Sequence, residues 1–171
     1  MSDTRTWKTS RIRFRLWLRA ILFGAPLIGV LFLPGEFADP EGTPWFLLGV
    51  IAFMAICMWP LAFAAHWADG DKDGLRLRYW PLLSRTVPYA KIASVDYRPA
   101  DSPGEFAGIG LRLASDGVLA FANRKGPGVG IKTADGQAYY VVLADDQELS
   151  QVRDRISQSR PGMHLSEEEG R

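Results

Sequence analysis

The 21 residues from Trp45 to Ala65, WFLLGVIAFMAICMWPLAFAA, carry no charge. At 1.5 Å of rise per helical residue they extend about 30 Å, the thickness of a hydrocarbon core, so the stretch reads as a membrane span. Lipid offers no water to loose backbone N–H and C=O groups, so the span is expected to be helical, and each flank falls to one face of the bilayer.

A second apolar run, LWLRAILFGAPLIGVLFL from Leu16 to Leu33, precedes it. Arg19 sits one turn inside this run, where its long stem can carry the guanidinium to the headgroups. Pro26 predicts a kink, with Gly24 and Gly29 leaving room for it. No small-x-small cleavage site follows Leu33, which favours a retained helix over a signal peptide. Residues 34–44, PGEFADPEGTP, read as an external turn-forming loop, and residues 16–67 as a transmembrane hairpin with spans at 16–33 and 45–65. Trp17, Trp45, Trp59 and Trp67 fall near the expected ends of the spans, where amphipathic rings prefer the interface.

Charge predicts the sidedness. Arg5, Lys8, Arg11, Arg13, Arg15 and Arg19 face only Asp3, a net of +5, whereas the loop holds Glu36, Asp39 and Glu41, a net of −3. Basic flanks stay in the cytoplasm, so residues 1–15 and everything after the second span are expected there, in a bacterial cytoplasmic (inner) membrane protein of two passes. From Asp69 onward 14 basic residues meet 15 acidic ones, and this balance argues against nucleic acid as a partner. The single cysteine, Cys57, lies within the second span and reads as an apolar filler.

After a linker at 68–74 the pattern changes to short alternating runs. Leu75, Leu77 and Tyr79 alternate with Arg76 and Arg78, the period of a half-buried strand. Seven strands are predicted: Leu75 to Trp80, Leu83 to Tyr89, Ile92 to Arg98, Ile109 to Ser115, Val118 to Arg124, Val129 to Thr133 and Ala138 to Leu143. Asp116-Gly117 and Asp135-Gly136 read as hairpin turns, and Gly126-Pro127-Gly128 as a further reversal. A helix follows, capped by Asp145 with Glu148 three residues on, and Leu149, Val152 and Ile156 share one face. Residues 75–158 thus form one small domain, and residues 159–171 read as a flexible tail.

The order of these motifs resembles that of the membrane-anchored bacterial PH-like (pleckstrin-homology-like) domain proteins. The resemblance covers about Gly74 to Ser157. It rests on LRLRYWPLLSRTVPYAKIASV, on Gly108-Ile109-Gly110-Leu111-Arg112, on GVGIKTADGQAYYVVL and on DDQELSQVRDRI. It implies an α+β membrane protein: a two-helix hairpin followed by a seven-stranded antiparallel PH-like β-barrel closed by a C-terminal helix. It carries over no catalytic residue. The first hairpin, Trp80-Pro81-Leu82, is short and apolar where lipid-binding relatives have a long basic loop, which argues against binding of phosphoinositide headgroups.

Candidate sites are few. Asp69-Gly70-Asp71-Lys72-Asp73-Gly74 opens like a calcium loop, but position twelve is Trp80 rather than a bidentate Glu, so no metal is expected. His66 falls at the membrane edge and His164 in the tail, which leaves the domain without a histidine for acid–base work. Asp96, Asp101, Glu105 and Asp116 have no informative spacing. Gly126-Pro127-Gly128-Val129-Gly130 lacks the Lys-Ser/Thr ending of a phosphate loop. No catalytic residue and no cofactor is expected. An interaction surface remains: Arg76, Arg78, Arg85, Arg124, Lys125 and Lys132 as basic strands, with Trp80 and Leu82 at an apolar tip. The expected function is a non-enzymatic module displayed to the cytoplasm, binding a membrane or cytosolic protein or its own copies. Recognition of anionic lipid is the alternative.

Overall fold

The computed structural model describes residues 6–100, 110–114, 117–159 and 165–167, with Ala100 and 165–167 described by backbone alone. The chain divides into two units, residues 14–64 and the residues on either side of them.

The first unit is helical: α1 (Leu16–Val30), α2 (Leu33–Ala38) and α3 (Pro44–Ala62). Leu16–Ala38 spans 23 residues and α3 spans 19, and both are long and apolar enough to cross a membrane. The helices α1 and α3 are antiparallel neighbours. Near one end the Arg19 Nε donates to Ala62 O at 3.0 Å, and further along Phe23 stacks on Trp59 at 5.3 Å. At Gly29 a Cβ would lie 2.7 Å from Ile51 Cγ1, so the helices approach closely there; at Gly24 nothing lies within 4 Å. Arg19 therefore caps the last carbonyl of α3, a favourable place for a cation at a helix C-terminus. The 34–44 segment is partly helical, because Pro34 suits the first turn of α2. Glu36 and Asp39 then close the reversal by accepting from Thr43 N at 2.9 Å and Glu41 N at 3.0 Å. The second span ends at Ala62 rather than Ala65, because Ala65 already belongs to a strand.

The other unit holds two sheets and a helix. The first sheet contains β1 (Trp7–Lys8), β2 (Ile12–Arg13), β3 (Ala65–Gly70), β4 (Gly74–Trp80) and β5 (Leu83–Pro88). Both β1 and β2 pair antiparallel with β3, with Lys8 opposite Asp69 and Ile12 opposite His66. Four steps along the N-terminal segment match three along β3, so one extra residue bulges between them. The Thr9 hydroxyl holds that bulge, accepting from Ala68 N at 2.9 Å and donating to Ala68 O at 3.2 Å. The basic N-terminal segment is thus part of the folded unit, and the residues expected as a linker form the end of β3 and its turn into β4.

The second sheet has the order β11-β6-β9-β10-β8-β7. Its strands are β6 (Ile92–Ala100), β7 (Gly110–Leu113), β8 (Val118–Ala122), β9 (Gly126–Thr133), β10 (Ala138–Val142) and β11 (Leu165–Glu167). The expected Asp135-Gly136 hairpin joins β9 to β10, with Gly136 at φ +83° and its N–H on Thr133 O at 3.0 Å. Gly117, at φ +81°, turns β7 into β8. The reversal expected at Gly126–Gly128 falls instead at Asn123–Lys125, and Gly126 already opens β9.

The expected seven-stranded antiparallel barrel is corrected on three points. Eleven strands are present among the described residues, β10 and β11 pair in parallel with β8 and β6, and the sheets are not closed into a barrel. The physical reason lies at the edge of β4. There β3 occupies the ladder groups that a first hairpin would otherwise offer for closure, and the N-terminal arm covers β3 in turn. The sheets meet through side chains: Tyr79 lies 6.4 Å from Phe121 between ring centroids, and Asn123 Nδ2 donates to Ile12 O at 2.9 Å.

The predicted C-terminal helix, α4 (Asp146–Ser159), buries Val152 and Ile156. Asp145 Oδ1 accepts from Glu148 N at 2.9 Å, and Glu148 in turn accepts from Ala144 N at 3.1 Å and from Ser10 N at 2.7 Å. One carboxylate therefore ties the helix start to the N-terminal arm. Within the expected tail, Leu165–Glu167 form β11 on β6, while 160–164 and 168–171 lie outside the described residues.

Candidate functional site

The alternation of β4 sends Leu75, Leu77 and Tyr79 inward, each 2% exposed or less, and leaves Arg76, Arg78 and Trp80 on the other face. Both arginines meet carboxylates from the β3 side. Arg76 Nη2 lies 2.8 Å from Asp71 Oδ2, and Arg78 Nε lies 2.8 Å from Asp69 Oδ1. Asp69 also accepts from Trp67 Nε1 at 3.1 Å. The calcium-like run is thereby explained as a turn. Asp71 Oδ1 accepts from Asp73 N at 2.9 Å and Gly74 N at 3.2 Å, and these backbone donors, with Arg76 adding to them, lower the Asp71 pKa below the ordinary carboxylate value.

The remaining basic candidates do not join this pair. Arg85 lies opposite Leu77 in the ladder, which places it on the other face of the sheet from Arg76 and Arg78. Arg124 Nη2 donates to Ala144 O at 2.8 Å, and Lys125 follows it in the connection from β8 to β9. Lys132 is exposed in β9 opposite Ala138, seven residues and roughly 20 Å along the strand from Lys125. The basic strands are therefore distributed over two sheets and several directions, and the two arginines that share a face are already paired.

Two cations unrelated to the expected surface do converge. Lys8 Nζ lies 5.0 Å and Arg11 Cζ 4.8 Å from the centroid of the Trp67 ring. Sequence reading counted both only as topogenic charge, because nothing local shows that their segment pairs with β3. A groove of about 310 Å3 runs between Trp7–Thr9 and the α4 face that carries Gln151, Asp154 and Arg155.

His66, expected at a membrane edge, is fully buried in β3. Its Nε2 lies 2.9 Å from Val142 O, its ring stacks on Tyr79 at 6.4 Å, and the Asn123 side chain stands beside it. Burial pushes its pKa down to about 4, so the imidazole is neutral at pH 7 and donates from Nε2 to the carbonyl. Asp96 lies in β6, Asp101 and Glu105 lie outside the described residues, as do Asp116 and His164.

The apolar tip of the expected surface is also open. Tyr79 opposite Leu83 is the last pair of the β4–β5 ladder, which leaves Trp80, Pro81 and Leu82 beyond it. Trp80 is 51% and Leu82 61% exposed. Leu113, on the second sheet, is the other large apolar side chain fully open in the described part of this unit. Across the first sheet Trp80 pairs with Ala65, and Ala65 pairs with Arg13, so tip and strand ends form one row.

The chain matches no family model and no curated protein.

Proposed function

We propose that this chain is a bacterial cytoplasmic-membrane protein whose helical hairpin anchors a non-enzymatic, PH-like two-sheet module at the cytoplasmic face, for binding a protein partner or its own copies. The observation that carries this reading is the exposure of the two apolar helices. Nineteen large apolar side chains between Leu16 and Phe63 are open. At about 1 kcal/mol for each half-exposed side chain, leaving them in water forgoes roughly 20 kcal/mol of burial. Lipid removes that penalty.

Two further features support the sidedness. Arg13 and Ala65 are ladder partners, so the segments that lead into and out of the hairpin leave one sheet side by side. That pairing supports an even number of crossings. The basic flank and the acidic Glu36, Asp39 and Glu41 then favour the two-sheet unit inside. The PH-like reading is supported by two sheets followed by a C-terminal helix, although the parallel β8–β10 pair departs from an all-antiparallel barrel. Confinement to a surface raises the effective concentration of the module for its partners.

Recognition of anionic lipid through the basic strands is the weaker reading, because Arg76 and Arg78 are ion-paired and Arg85, Arg124 and Lys132 point elsewhere. Reporter fusions at Asp39 and after the C-terminus, with in-cell crosslinking of the full chain, test the proposal. A cytoplasmic C-terminus, an external Asp39 and a specific crosslinked protein or dimer are expected. An external C-terminus, or extraction of the chain by carbonate without detergent, would overturn it.

A further inference from the structure

We propose that Trp80-Pro81-Leu82 is a third membrane contact, seated in the headgroup zone of the same glycerophospholipid bilayer that the hairpin enters. This rests on the membrane reading above and adds a contact to it. Chain length provides the first argument. From Ala62, the end of α3, to Ala65 is three residues, at most about 10 Å even when extended. The interfacial zone on each side of a bilayer is about 5–8 Å deep, so the row containing Ala65 is held at or just outside it. Trp80 is the ladder partner of Ala65, one strand spacing of about 4.8 Å away, and the tip continues beyond it.

Chemistry provides the second argument. The tip combines an indole, which prefers the headgroup level, with a proline and a leucine that have no hydrogen-bonding side chain to leave unsatisfied. Arg13 stands in the same row, exposed and positive, as suits an anionic surface. At the far end of the same strands the turn is Asp71-Lys72-Asp73, about 20 Å away, where Lys72 and the Arg76 paired with Asp71 balance the carboxylates. One end of the sheet is apolar and basic, the other polar and charge-balanced.

The test uses the full chain carrying Cys57→Ala, with one added cysteine at Leu82, Lys72 or Phe53, each labelled with an environment-sensitive fluorophore. Each protein is reconstituted in phosphatidylcholine–phosphatidylglycerol vesicles that contain lipids with a nitroxide near the headgroup or deep in the chain. Position 82 is expected to be quenched about threefold more than position 72, and more by the shallow nitroxide than by the deep one. Position 53, within α3, is expected to respond more to the deep nitroxide. Trp80→Ala, with the label kept at 82, should lower the shallow quenching. If position 53 is quenched while 82 behaves like 72, the tip contact is wrong and the hairpin reading stands. If position 53 is not quenched, the hairpin reading fails and the tip proposal with it. Crosslinking between copies through position 82 without lipid quenching would assign the tip to a second copy and overturn the proposal.

Discussion

Acidification should destabilise the two-sheet unit through His66. The imidazole is fully buried beneath Val142 O and against Tyr79, and its pKa is lowered from 6.5 to about 4. A lowered folded pKa means that the unfolded chain takes up the proton first. Stability from this group is therefore complete above pH 6.5 and falls as the pH drops towards 4, below which both states hold the proton and the loss stops. Each pH unit in that interval removes about 1.4 kcal/mol, so the whole interval removes roughly 3 kcal/mol, a large part of an ordinary domain's stability. With a urea dependence of about 1.5 kcal/mol per molar, the midpoint should move by roughly 2 M. The assay is urea unfolding of the full chain in detergent micelles between pH 7 and 4, followed by circular dichroism of the sheets, beside His66→Gln. The substitution will change the baseline at pH 7, so the informative quantity is the slope against pH, which the variant should lose. Asp71 and Asp135 have pKa values lowered from 3.8, by backbone donors and by the Thr133 hydroxyl respectively, so their contributions fade at still lower pH and are common to both proteins. Equal slopes for the two proteins between pH 6.5 and 4 would refute the reasoning.

Four substitutions probe close approaches and a cap. Gly128→Ala would drive a Cβ into Tyr140 Oη and sever the 2.6 Å bond from that hydroxyl to Arg98 O; a loss of about 1–3 kcal/mol in urea unfolding is expected. Gly29→Val should push α1 from Ile51 and weaken disulfide crosslinking between cysteines introduced on α1 and α3, whereas Gly24→Ala, with nothing within 4 Å, should leave it unchanged. Glu148→Ala removes the acceptor of both Ser10 N and Ala144 N; about 1–2 kcal/mol of stability and faster hydrogen exchange at those two amides are the expected results.

Local features of the chain were legible wherever neighbours in sequence make the interaction. Apolar runs of helical length marked two helices fit to cross a membrane, Asp145 and Glu148 marked the start of α4, and Asp135-Gly136 marked a hairpin. The alternation of Leu75, Leu77 and Tyr79 with arginines named the inward face of β4. The exposure of Trp80 and Leu82 at the turn was likewise legible, because no partner was needed to leave them open.

What tertiary structure alone decided depends on pairing over long separations, which no local period encodes. Trp7, Lys8 and the Ile12–Arg13 pair became strands only because β3 lies beside them across some sixty residues. Ala65–Gly70, AHWADG, has little β pattern of its own and is held by ladders on both sides. That placement buried His66, and it brought Asp69 and Asp71 to the arginines that composition alone left free to bind lipid. Side-chain type is a property of the chain, whereas the charge a surface presents depends on which opposite charges the fold sets beside it.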